Sequence, residues 1–133
     1  GVLDLSNGTA GGSEPKNVSN WTLNGYPGNV LVDSSIPIIT GNYGNNIAGA
    51  LRARITANPG GVDPDGVLWG TIDIVIWDAY ANGRVTVLKF GRFKIRYTDV
   101  YGSSVTGKFI SFVVPGHERG EDDPAGPKIV VLR

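Results

Sequence analysis

Apolar residues concentrate in the second half of the chain, and their spacing there is that of strands. Three or four consecutive strands carrying most of the buried apolar surface are predicted between Leu68 and Val114. Ile72, Ile74 and Ile76 alternate with Asp73, Val75 and Trp77, the period of two that defines a strand. Val75 and Trp77 make the second face apolar too, so this strand is expected mid-sheet and covered on both sides. After Ala81-Asn82-Gly83 a second run extends from Arg84 to Tyr101. An Asn-Gly pair between two such runs predicts a tight hairpin, because both residues tolerate positive φ. Within the second run the phase changes. Val85 and Val87 share one face, Leu88 and Phe90 the other, and Phe93, Ile95 and Tyr97 return to the first, with Gly91 at the second crossover. A bent strand with a bulge at Gly91 is therefore expected. A third run, Ser104 to Val114, follows the turn at Tyr101-Gly102-Ser103, with Ile110, Phe112 and Val114 on one face and Phe109 and Val113 on the other.

The first half is turn-rich. Val2, Leu3 and Leu5 predict a short first strand. Ser13 as N-cap, Pro15 in the first turn and Gly25 as stop predict a helix through Asn24, with Val18, Trp21 and Thr22 towards the core. Tyr26-Pro27-Gly28-Asn29 reads as a turn, Val30 to Val32 as a brief strand, and Ile36 to Thr40 as another that Pro37 confines to an edge or to irregular structure. Gly41 to Asn46 reads as loop. Ile47, Ala50, Leu51, Arg54 and Ile55 have helical spacing after Asn46, which predicts a second helix over Ile47 to Ile55. Asn58 to Gly66 is a turn cluster, His117 to Pro127 a polar excursion, and Lys128 to Leu132 a last strand.

Composition narrows the classes. Twenty glycines and 8 prolines in 133 residues fit many short turns between strands rather than long helices. Twelve basic and twelve acidic side chains balance, so net charge argues for neither nucleic acid nor an anionic membrane. There is no cysteine, which removes disulfides, thiolate nucleophiles and cysteine metal sites. No window approaches the roughly 18 apolar residues of a membrane helix, so membrane attachment is expected only through a segment absent from this sequence.

Candidate chemistry is sparse. The one histidine, His117, lies in His117-Glu118-Arg119-Gly120-Glu121-Asp122-Asp123, a spacing that matches no metal-ligand pattern and reads as a solvated acidic loop. Asp63-Pro64-Asp65-Gly66 resembles the start of a calcium loop but lacks its distal acidic positions, and reads as a turn. Ser103 or Ser104 would need His117 as base, and nothing places them together. Asp73 is expected partly buried with Arg96 or Lys94 as partner, an ion pair rather than half of a glycosidase pair with Asp78. Arg92, Lys94 and Arg96 line one side of a strand and read as a solvated face rather than a phosphate-binding one. Asn7, Asn17 and Asn20 head three N-glycosylation acceptor patterns. Trp21 with Tyr26 could form a sugar-stacking platform, although an aromatic at a helix–sheet boundary is more often core. Trp69 is a further aromatic available to a glycan.

Several segments in series resemble a known family. They are Trp21-Thr22-Leu23-Asn24-Gly25-Tyr26-Pro27-Gly28, Gly41-Asn42 leading to Leu51-Arg52-Ala53-Arg54-Ile55, the strand Ile74-Val75-Ile76-Trp77-Asp78, the strand from Lys89 to Ile95, Val105-Thr106-Gly107-Lys108-Phe109-Ile110, and Val113-Val114-Pro115-Gly116. This order resembles the C-terminal extracytoplasmic part of TadE/TadG-like proteins of the tight-adherence (Flp) pilus system, from about Asp4 to Arg133. The resemblance implies an envelope-facing or secreted structural or assembly role, no catalytic residues, and partners among pilus or envelope proteins.

The sequence thus predicts one mainly β domain over residues 1–133, an antiparallel, sandwich-like sheet with one or two short helices in its N-terminal half. Residues 1–66 form a loop-rich half and 67–133 the strand core. The expected function is a non-enzymatic domain of the cell surface or extracellular space, without cofactor or metal. Two alternatives are kept. One is a filament subunit joined by donated terminal strands, Val2, Leu3 and Leu5 at one end and Ile129, Val130, Val131 and Leu132 at the other. The other is a carbohydrate-binding module.

Overall fold

A computed structural model describes residues 2–7, 15–39, 42–101, 104–113 and 129–130, and the side chains of all of these except 15, 16, 129 and 130. The expectations for Ser13, Thr40, Gly41, Ser103, Val114, His117 to Lys128, Val131 and Leu132 lie outside the described residues. The fold is mainly antiparallel β with two helices in the N-terminal half. In chain order it runs β1 (Val2–Leu3), α1 (Pro15–Asn24), β2 (Ser35–Ile39), α2 (Gly44–Ala57), β3 (Gly61–Val62), β4 (Leu68–Ala81), β5 (Arg84–Arg96), a 3₁₀ turn (Tyr97–Asp99), β6 (Val100–Tyr101), β7 (Ser104–Val105), β8 (Lys108–Val113) and β9 (Ile129–Val130).

β4 and β5 form the spine. Their turn has φ of 55° at Asn82 and 72° at Gly83, the double positive φ of a type I′ turn whose twist matches the strands it joins. One edge of β5 holds β4. The opposite edge is shared end to end, by β2 near Val85 and by β8 from Phe90 to Lys94. Beyond β2 lies β1, while the far edge of β4 carries β3 and, in parallel, β9. β6 and β7 pair as a separate ribbon. Ile72 and Val75, on opposite faces of β4, are both buried, so the strand is covered on both sides as its double apolar pattern requires.

The bulge falls elsewhere than expected. Ile76 pairs with Lys89 and Trp77 with Val87, so Leu88 is the extra residue, and Gly91 pairs regularly with Ile74. Phe90 therefore shares the face of Val87, and Phe93 and Ile95 take the opposite one. Gly91 answers a packing need instead. A Cβ there would stand 3.0 Å from Ile76 Cδ1 and 3.1 Å from Phe93 Cε1. A compensating extra residue lies on β4 between Asp78 and Ala81, where Ala79 has φ of 56°.

Helix α1 runs from Pro15 to Asn24 as the sequence predicts, and Gly25 stops it with φ of 82° and its N–H on the Trp21 carbonyl. Val18, Trp21 and Thr22 are buried, the Thr22 hydroxyl donating to the Val18 carbonyl at 2.8 Å. Helix α2 begins three residues before the expected start. Its Ile47, Ala48, Leu51 and Ile55 are buried, and Ile55 comes within 3.3 Å of where a Gly70 Cβ would sit. That contact lays α2 on the face of β4 that also carries Ile72.

Three further expectations change. Val30 to Val32 form no strand. β2 is not an edge strand, because it lies between β1 and β5. Its Pro37 is tolerated because the missing N–H points to short β1, where the Pro37 carbonyl accepts from Asp4 and the Asp4 carbonyl serves Asn7. β5 ends at Arg96 rather than Tyr101, where the Asp99 carboxylate accepts the Arg96 N–H at 3.1 Å and turns the chain.

Candidate functional site

The C-terminal part of the strand unit does not bury its apolar side chains. β8 (Lys108–Val113) is exposed along almost its whole length, with Phe109 at 45%, Ile110 at 49% and Phe112 at 55% exposure. Strict alternation would put Phe109 and Phe112 on opposite faces. However, Phe109 pairs with Phe93 and Ser111 with Arg92, so Ile110 is an extra residue and both phenylalanines emerge on the same side. Their rings meet edge to face at 4.9 Å, and Phe109 meets Phe93 at 5.5 Å, geometry favoured by the ring quadrupoles. The Lys89 ammonium caps the row 4.1 Å above the Phe112 ring. Among the described residues no strand pairs with the outer edge of β8. An exposed apolar edge of this kind is what globular domains normally suppress.

The opposite face of β5 is ionic. Arg92 holds Asp73 through two bonds, Nε to Oδ1 at 2.7 Å and Nη2 to Oδ2 at 2.9 Å. Asp73 is 5% exposed, and its partner is Arg92 rather than Lys94 or Arg96 because β4–β5 register sets Asp73 directly opposite Arg92. Lys94 reaches Asp63 at 2.8 Å and lies over the Trp69 ring at 4.6 Å, while Arg96 binds both Asp63 and Asp65. The hydrogen bond from Arg96, then the Val67 N–H, hold the Asp65 carboxyl below the usual carboxylate range, and Asp65 in turn raises Arg96. The Asp63–Gly66 segment is thus a turn that neutralises two cations of the sheet. Burial lowers Arg54 from its ordinary value and the field of Asp73 opposes that shift. Arg54 also donates to the Thr22 carbonyl at 3.1 Å, tying α2 to α1.

Trp21 and Tyr26 come together edge to face at 5.0 Å. Trp21 is 7% exposed, so its ring belongs to the core and Tyr26 is the half-exposed one. An open groove of about 410 Å³ runs along Asn20, Trp21, Asn24, Gly25, Tyr26 and Pro27. Trp69 lies under Gly60 and Gly61, whose Cβ positions its ring would occupy. Asn7 is exposed and accepts from Arg84 at 2.5 Å, while Asn17 and Asn20 lie on α1.

Val2 and Leu3 pair with Ile39 and Ile38, and Val2, Leu3 and Leu5 are buried. Ile129 and Val130 pair in parallel with Asp73 and Ile74. Both terminal strands therefore lie in the sheet of their own chain, at opposite edges. Among the described residues no group of three or more acidic or histidine side chains could hold a metal ion, and no helix is long and apolar enough to cross a membrane. No family model, curated protein or solved structure matches the chain. The β8 surface is what sequence reasoning missed. Its signal was the apolar pair Phe109 and Phe112 at a spacing of three, odd for a strand unless a bulge intervenes.

Proposed function

We propose that this chain is a non-enzymatic structural domain of the bacterial cell surface or extracellular space, part of an appendage of the tight-adherence pilus type, and that it works by holding other polypeptides. The observation that carries the binding role is β8, a six-residue strand whose outer edge no described strand pairs, with three large apolar side chains in water. Contiguous exposed apolar surface on an unpaired edge is the usual mark of a protein-docking site. The resemblance along residues 4–133 supports the pilus setting. Immunogold labelling of the source cells with an antibody to this domain, together with pilus counts after deletion of its gene, tests the reading. Label on the envelope or on fibres, with fewer pili in the deletion, is expected. Cytoplasmic label with normal pili overturns it.

A second reading, a self-assembling filament subunit, is favoured by one observation. β1 and β9 each pair with the sheet at only two positions, so exchanging either between subunits breaks few bonds. Sedimentation of the purified chain with electron microscopy of the same sample separates the two. Fibres that vanish when residues 1–5 or 128–133 are deleted support the filament.

A further inference from the structure

Resting on the reading of this edge as a protein-binding surface, we infer that β8 takes an extended segment of a different polypeptide. That segment adds to the sheet with apolar side chains on Phe109 and Phe112 and a carboxylate near each of its ends. The backbone half of the argument is topological. β8 bonds β5 on one side, and its other side has no strand among the described residues, so its outward N–H and C=O groups offer a ladder to an added strand. The apolar half comes from the extra residue at Ile110, which gathers Phe93, Phe109 and Phe112 into one row. A strand with apolar residues on that face would continue the row by one more position.

The charges choose the occupant. Arg92, Lys94 and Arg96 each have an aspartate. The two cations at the ends of β8 do not, among the described residues. Lys108 opens the strand directly opposite Lys94, a like-charge pair that opposes pairing, and Lys94 already has Asp63. Lys89 stands at the other end, over Phe112, where it has a ring but no carboxylate. A second copy of this chain docked edge to edge would bring two more lysines and no carboxylate to the seam. Lys89 lies on the phenylalanine face and Lys108, paired with Lys94, on the ionic one, so a segment with an acidic residue at each end, one on either face, meets both lysines and relieves the Lys94–Lys108 repulsion.

The test uses the purified chain of residues 1–133 and two fluorescent ten-residue peptides with the same alternating Val/Phe core, so that their two end residues fall on opposite faces. One carries aspartates at both ends and the other lysines. Anisotropy titrations should show the aspartate peptide binding about tenfold more tightly, a margin that shrinks with added salt. The double variant Lys89→Glu/Lys108→Glu should reverse the preference, and Phe112→Ser should weaken both peptides. These positions are exposed, and melting curves confirm that the variants fold. Equal binding of the two peptides overturns the inference, as does an unreversed preference in the charge-swapped variant, or no binding of either peptide at about 1 mM. Dimers in sedimentation that Phe112→Ser abolishes assign the edge to a second copy and equally overturn it. The pilus reading fails separately. Peptide preference with cytoplasmic label and normal pili sinks the pilus role and leaves this edge chemistry standing, whereas envelope label without peptide preference does the reverse.

Discussion

Replacing Arg92 by Met keeps most of the aliphatic stem of the side chain and removes its charge. It leaves the Asp73 carboxylate, with 6% of its side chain exposed, without either of its two hydrogen bonds. Breaking a buried pair from one side costs about 3–5 kcal/mol. The field of Arg54, which the structure couples to Asp73, offsets part of this, so about 3 kcal/mol is expected. For a chain of this length that lowers Tm by roughly 10 °C. The opposite change, Asp73→Asn, takes the ion pair from Arg92, but 35% of that side chain already meets water, so about 1–2 kcal/mol is expected. The double variant should be less destabilised than the sum of the two. Thermal melts and urea titrations of the four proteins measure all of this. An Arg92→Met cost below about 1 kcal/mol refutes the reasoning.

Other outcomes test other parts of the fold. Gly83→Ala forces an L-residue to a φ of 72° and should cost about 1 kcal/mol in urea melts, whereas Gly49→Ala, with nothing near its Cβ position, should stabilise α2 slightly. Leu51→Ala, at a fully buried position, should cost about 3 kcal/mol. The Asp65 carboxyl titrates lower in the folded state than unfolded, so its contribution is present above pH ~4 and is lost as pH falls through the depressed value. Asp65→Asn should therefore flatten the acid limb of the stability curve.

Much of this fold was legible because local signals sufficed. Asn82-Gly83 defined its own turn, and Pro15 and Gly25 bounded α1. The error at Gly91 arose because a glycine in a strand signals either a bulge or a close approach, and only the neighbours Ile76 and Phe93 decide which. The Asp73 partner was within reach of counting. Nine positions back from Asn82 is Asp73 and nine on from Gly83 is Arg92, and the two bulges between them cancel. β8 was misread for a different reason. Apolar residues in a strand state a preference for burial, not whether another layer exists to supply it, and here the helices cover other parts of the sheet.

The end-to-end sharing of one edge of β5 has a mechanical consequence. A chain gripped along β8 and pulled parallel to it would load the β8–β5 ladder in shear, so that its five paired positions resist together rather than opening one at a time. With the domain held at β4, the load would pass directly into β5 and across the long β4–β5 ladder, while β2 and β1, seated on the other half of the same edge, would stay out of the force path. The domain would thereby be divided into a tensile half and an unloaded half without any break in its sheet.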